Sequence, residues 1–206
     1  CRACHFEPTQ GGAGPVGLNV TRQGIVANNS FYQPQGGTLL HRFLSDFSRR
    51  PQPDPNANVI ELRQSPPLFG LGLVDRIPES QMAAHADPND EDGDGVSGRI
   101  ARVDGGRVGK FGWKAAFPTL IDFIRDALSN EVGLTVPEQS QFIAGFSSDE
   151  DDVPDPEFAG DEYSALIFYV SMLGPPPTGE LGADASRGEG HFDEIGCADC
   201  HVPSME

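Results

Sequence analysis

Apolar residues recur with helical spacing in several stretches of this chain. Over 117–133, Leu120, Ile124, Ala127 and Leu128 form one stripe with Phe123 beside it, and Pro118 stands at the front. That spacing predicts a helix. A second is predicted over 161–173, with Tyr163, Leu166, Ile167, Val170 and Leu173 inward, and a third over 185–195, carrying Phe192 and Ile195. Thr38 reads as the N-cap of a short helix whose apolar side holds Leu39, Leu40, Phe43, Leu44 and Phe47. Shorter helices are expected within 65–78, at 78–86 and at 137–144. Strand signals are sparse: 59–62, and a small β-hairpin joining 99–103 to 107 onward across Asp104-Gly105-Gly106. Residues 6–37 are Gly-rich and poorly periodic and read as loop. The pattern predicts a mainly α fold with long loops.

Composition narrows this. The 206 residues include 25 glycines, 18 prolines and 13 phenylalanines, which suits packed helices joined by long ordered loops. No apolar run approaches the roughly 18 residues of a membrane helix. A net charge of −17 argues against nucleic acid and anionic membranes. It suits a basic protein partner or a small substrate, or serves solubility alone.

The four cysteines carry the chemistry. Cys197-Ala198-Asp199-Cys200-His201 is a Cys-x-x-Cys-His run, the attachment pattern of c-type haem. Thiols three residues apart lie on one side of a helical turn and can both reach the vinyl groups of one porphyrin. His201 then offers its imidazole to the iron as an axial ligand. Cys1-Arg2-Ala3-Cys4-His5 repeats the pattern and leaves no cysteine over. A structural zinc or two tight disulfides would use the same thiols, but would leave the two following histidines unexplained. Two covalently bound haem c groups are the expected cofactors, on Cys1, Cys4 and His5 and on Cys197, Cys200 and His201. Haem is attached outside the bacterial cytoplasmic membrane, so the location implied is periplasmic or extracellular. Neither flank required by a cytochrome c fold is complete here, and we expect a longer protein cut at both ends. Gly174-Pro175-Pro176-Pro177-Thr178-Gly179 reads as a rigid linker. It divides a first haem domain, 1–174, from the start of a second, 175–206.

Other residues are candidates for supporting roles. Asp90-Glu91-Asp92-Gly93-Asp94-Gly95 fits the start of a calcium loop, with Asp90, Asp92 and Asp94 at positions 1, 3 and 5 and glycine at 6. Ala101 stands where that loop would have its bidentate Glu, and a solvated acidic turn is the alternative. The run 147–155 is a weaker candidate of the same kind. His41 is either a distal-side group for the first haem or a surface histidine. Met82 and His85 read as structural. Trp113, the single tryptophan, reads on its own as a buried core residue, although an indole near haem can also carry electrons.

Five segments together resemble the bacterial dihaem oxidoreductase family, peroxidase-like proteins also labelled thiol oxidoreductases. They are Cys1-Arg2-Ala3-Cys4-His5, Pro67-Leu68-Phe69-Gly70-Leu71-Gly72-Leu73, Asp92-Gly93-Asp94-Gly95-Val96-Ser97-Gly98-Arg99, Phe111-Gly112-Trp113-Lys114-Ala115 and Ile195-Gly196-Cys197-Ala198-Asp199-Cys200-His201. This family is similar, distantly, to dihaem cytochrome c peroxidases. The resemblance implies two cytochrome c-like haem domains, calcium between them, and Trp113 between the haems. The activity it implies moves electrons from a carrier protein to a small oxidant such as peroxide. A non-catalytic dihaem electron carrier, or a subunit of a larger redox complex, is the rival expectation. An iron with an open axial position separates the two.

Overall fold

The computed structural model describes residues 4–34, 37–40, 52–138, 145–149, 151–202 and 204–205. The chain divides into two compact units, each assembled from two stretches: 1–72 with 119–174, and 73–118 with 175–206.

The first unit is built on an antiparallel sheet. β1 (Val20–Ala27) pairs with β2 (Ser30–Tyr32), β3 (Leu39–Leu40) and β4 (Val59–Arg63). β1 and β2 form a hairpin across Asn28 and Asn29, whose φ angles of 52° and 56° give the mirror-image turn that suits the twist of paired strands. The middle of β1 is polar yet covered: Gln23 is buried, donating from Nε2 to Gly37 O at 3.0 Å and accepting from Asp54 N–H at 2.8 Å. The same unit holds two helices that pack on each other, α3 (Leu120–Asp126) and α4 (Gly160–Met172). Thr119 caps α3, its Oγ1 accepting from Asp122 N–H at 3.1 Å. The helix then widens into a π turn over Ala127–Val132 and stops at Gly133, whose φ is 80°. Leu120, Ile124 and Leu128 are buried, as their stripe predicts, together with Val136, Tyr163 and Val170. Each such side chain contributes about 1.5–3 kcal/mol by leaving water.

Close backbone approach locks this unit. Gly72 permits it at the start of α1 (Leu71–Arg76): a Cβ there would stand 1.9 Å from Ser171 O of α4. Gly70 N–H donates to Leu173 O at 2.9 Å in the same contact.

The second unit contains most of α1, then α2 (Glu79–Ala84), an acidic loop, a pair of single bridges and α5 (Ala183–Glu194). Lys110 Nζ donates to Asp75 O at 2.7 Å and Ile77 O at 2.9 Å, closing the carbonyls where α1 ends. No residue of α5 is buried.

The expectation of a mainly α fold with two cytochrome c-like domains is corrected. The described residues combine a four-stranded antiparallel sheet with five α-helices. The 6–37 stretch, expected as loop, holds β1 and β2. Arg22, Gln23 and Gly24 hid the strand, because they interrupt its apolar alternation and their polar groups are satisfied only by distant partners. The hairpin expected at 99–107 reduces to a single Arg102–Val108 bridge around a short 3₁₀ turn, Asp104–Gly106. Leu39 and Leu40, expected in a helix, pair as strand β3 with Arg22 and Thr21. Residues 41–47 of that helix, and most of 137–144, lie outside the described residues.

Candidate haem-attachment turns and acidic loops

The two Cys-x-x-Cys-His turns sit in different units and are held differently. In the first, Cys4 and His5 are half-buried, and Cys1 lies outside the described residues. His5 Nδ1 stands 2.7 Å from Pro66 O. A carbonyl only accepts, so Nδ1 donates, and in the neutral ring the lone pair then falls on Nε2, the nitrogen that an iron would take. Burial holds the imidazole below its ordinary pKa, partly offset by hydrogen bonds to the Pro66 and Gly12 backbones, and so favours the neutral, ligating form. The turn is tied down on both sides: Gly11 N–H donates to His5 O at 2.9 Å, and Gly14 N–H to Ser65 O at 2.9 Å. Leu68 N–H donates to Gly11 O at 2.8 Å. Gly11, with φ 90°, has no room for a Cβ, which would lie 2.6 Å from Leu173 Cδ2. The role of the Pro66–Leu68 segment in seating His5 was not legible from spacing; only the tertiary contact reveals it.

In the second turn, α5 ends at Glu194, Gly196 adopts φ 79°, and Cys197–Asp199 forms one 3₁₀ turn. His201 N–H donates to Cys197 O at 2.9 Å, which draws the imidazole onto the turn that carries both thiols. Cys197 and Cys200 are free thiols, so they are not spent on a disulfide. The His201 ring meets Phe192 edge-on at 6.0 Å and 61°. Elsewhere in the same C-terminal segment Leu181, Ile195 and Met205 are exposed, Ile195 at 74%. Two free thiols, an imidazole without a hydrogen-bond partner among the described residues and the exposed Phe192 ring against it form a fitting seat for a flat apolar macrocycle. The first turn fits on other grounds, through a histidine already set in its ligating tautomer.

The acidic loop is ordered by its own side chains. Asp87 Oδ2 accepts from Glu91 N–H at 2.7 Å, which lowers its pKa, and Asp90 Oδ1 accepts from Gly95 N–H at 3.0 Å. Asp92 Oδ1 and Asp94 Oδ1 accept from Asp94 N–H at 3.2 Å and Val96 N–H at 2.7 Å. Carboxylate oxygens of Asp87, Asp90 and Asp92 lie within 4.8 Å of one another. The structure therefore gathers Asp90 and Asp92 with Asp87, rather than with Asp94. Asp87 precedes the loop pattern by three residues, and only its Pro88-Asn89 turn could have signalled it. Carboxylate oxygens of Asp149, Asp151 and Glu157 also lie within 4.8 Å of one another. This group is tied to buried Thr135, which donates from Oγ1 to Asp155 and from its N–H to Glu157 Oε2 at 3.0 Å.

Trp113 is 56% exposed, which corrects its reading as a core residue. It sits in a tight reversal between Phe111 and Phe117, with positive φ at Gly112, Lys114 and Ala115. Gly109 makes room for that reversal, since a Cβ there would lie 1.8 Å from Ala115 O. Met82 is half-buried and His85 exposed at the end of α2. His41 lies outside the described residues. No helix among the described residues is long and apolar enough to cross a membrane.

With both turns described, the class of protein follows. The family model for "Di-haem oxidoreductase, putative peroxidase" matches residues 56–206, and the chain belongs to that family. The match includes the Cys197–His201 turn, the acidic loop and Trp113; the Cys1–His5 turn precedes it. No curated protein and no solved structure matches the chain. Membership makes this a dihaem, peroxidase-like oxidoreductase family protein with haem as its cofactor.

Proposed function

We propose that this chain is part of a periplasmic dihaem c-type oxidoreductase that moves electrons from a carrier protein to a small oxidant such as peroxide. The observation that carries this reading is the seating of His5, with Nδ1 donating to Pro66 O, which in the neutral ring puts the lone pair on Nε2. Cys4 with Cys1, and Cys197 with Cys200, would hold the two haems through thioethers, and His5 and His201 would take the irons. When bound, the haems supply the one-electron chemistry and, where an axial position is open, a place for the oxidant. The chain's own contribution is to fix the ligating tautomer at His5 and to bring His201 and two thiols onto one turn.

Trp113 serves electron transfer between the haems in this reading. Its support is the exposed indole on a reversal fixed by Gly109 and by positive φ at three neighbours. Calcium occupies the acidic loop through Asp87, Asp90 and Asp92, whose repulsion a divalent cation relieves. Asp94 keeps the loop closed through Val96 N–H. Chelation lowers thermal stability if this is right; no change in stability or spectrum assigns the loop a purely structural role. The acidic surface, at a net charge of −17, favours a basic electron donor.

The experiment is a visible and electron paramagnetic resonance spectrum of the full-length protein, oxidised and half-reduced. A high-spin ferric component beside a low-spin one supports an open iron, and peroxide turnover is then expected. Two low-spin haems in both states would overturn the catalytic reading and favour an electron carrier.

A further inference from the structure

β4 is an edge strand that carries little protection. The direction of its main-chain groups follows from β1. Val26 N–H and C=O each meet the Asn58 side chain at 2.8 Å, and Gly24 O accepts from Asn58 N–H at 3.1 Å. Even-numbered residues of β1 therefore turn their backbone toward β4, while Gln23 N–H turns away, to Thr38 O at 2.8 Å. Gly24 lies opposite Val59, Arg22 opposite Glu61 and Val20 opposite Arg63. Val59, Glu61 and Arg63 thus face β1 with their main chains, and Ile60 and Leu62 direct theirs outward. Among the described residues no strand pairs with that outer edge.

Its side chains are equally uncovered. Val59 is 44%, Ile60 53% and Leu62 63% exposed, three apolar residues in a strand of five. Edge strands are ordinarily blunted by proline, lysine, a bulge or a covering segment. The charges here are one Glu and one Arg, joined to each other at 2.5 Å.

That pair makes the edge complementary to itself. We propose that β4 joins two copies of this chain, antiparallel, about a two-fold axis through Leu62. Leu62 then faces Leu62 and exchanges both outward hydrogen bonds with it. Glu61 faces Arg63 of the second copy, and Arg63 faces its Glu61, at the closely spaced positions where side chains interact most. Centring the pairing on Glu61 instead would set two carboxylates against each other. Centring it on Ile60 would leave Glu61 opposite Val59, so the Leu62 register is the one that pairs both charges, and the two-fold contact closes after two copies without growing further. The proposal does not depend on the haem assignment.

Analytical ultracentrifugation of the haem-loaded full-length chain across the micromolar range tests it. The expected species has twice the monomer mass. Leu62→Lys, which places two ammonium groups on the axis, gives monomer, and so does Glu61→Arg, which sets Arg against Arg. Each raises the dissociation constant about tenfold or more, two unfavourable cross-strand contacts being involved. Glu61→Arg combined with Arg63→Glu restores the dimer, because the charges are exchanged and still opposed. Leu62 is exposed and Glu61 and Arg63 are half-buried, and unchanged circular dichroism and haem content establish that the variants fold. A monomeric parent chain across that range overturns the proposal. So does a dimer that survives Leu62→Lys, or a double variant that stays monomeric.

Discussion

The two candidate haem-attachment turns share one sequence pattern and differ in how much of the site the protein builds unaided. His5 is half-buried, its tautomer fixed by Pro66 O, and its turn is tied to the 65–68 segment by backbone hydrogen bonds. His201 is exposed, makes an edge-on ring contact with Phe192, and follows a helix with no buried residue. The same five-residue grammar thus yields one seat organised by tertiary contacts and one that a bound haem would itself have to cover. Order in a covalent cofactor site can come from the chain or from the cofactor, and here the two turns divide along that line.

The largest effect that could break this contrast comes from removing the second seat. Replacing both Cys197 and Cys200 by Ser is expected to lower the haem-to-protein ratio from two to one by pyridine haemochrome assay. Amides over 183–202 should then exchange at nearly unfolded rates, while those of 5–14 and 65–68 stay protected. Strong protection of 183–202 in that variant would erase the difference between the turns.

Next in size is Gly72→Ala. With Ser171 O at 1.9 Å from the new Cβ, α1 and α4 must separate, at a cost of about 1–3 kcal/mol. Denaturant unfolding of the first unit should show that loss together with a perturbed first haem. Unchanged stability would mean that its packing is looser than the geometry indicates. In the second unit, Phe192→Ala removes an edge-on aromatic contact worth about 0.5–1.5 kcal/mol and should broaden the second haem's signals alone. A change confined to the first haem would reverse the assignment of that helix.

The smallest effect is in pH. Burial raises the pKa values of Asp126 and Glu131 in the first unit, and the nearby Asp126 charge raises that of Glu131 further. A raised carboxyl pKa favours the protonated folded form. This contribution is complete below the ordinary carboxylate range and is lost as pH rises through the folded values. Glu131→Gln should therefore flatten the stability profile just above the ordinary carboxylate range and raise stability at neutral pH. An identical slope in the variant, measured by thermal unfolding across pH, would remove Glu131 from that account.

Local chemistry was legible wherever the pattern is short-range. The α3 stripe, the inward residues of α4, the course of α5 and strand β4 all stand where periodicity placed them, because each depends on neighbours a few residues away. The β1–β2 hairpin was not legible, since buried Gln23 is satisfied by Gly37 and Asp54, partners far along the chain. Trp113 illustrates the reverse error. Its size argues for the core, yet the Gly109 and Gly112 backbone turns it outward.

The sequence by itself determined that two thiol pairs, each followed by a histidine, punctuate this chain, and that acidic and tryptophan-bearing loops lie between them. Covalent spacing alone settles that, since Cys-x-x-Cys-His brings its own three groups together within one turn. Tertiary structure decided which imidazole is held and in which tautomer, which third carboxylate joins Asp90 and Asp92, and which sheet edge is left open. Those choices depend on groups distant along the chain: Pro66 reaching His5 and Asn58 reaching Val26. No local pattern encodes such pairings.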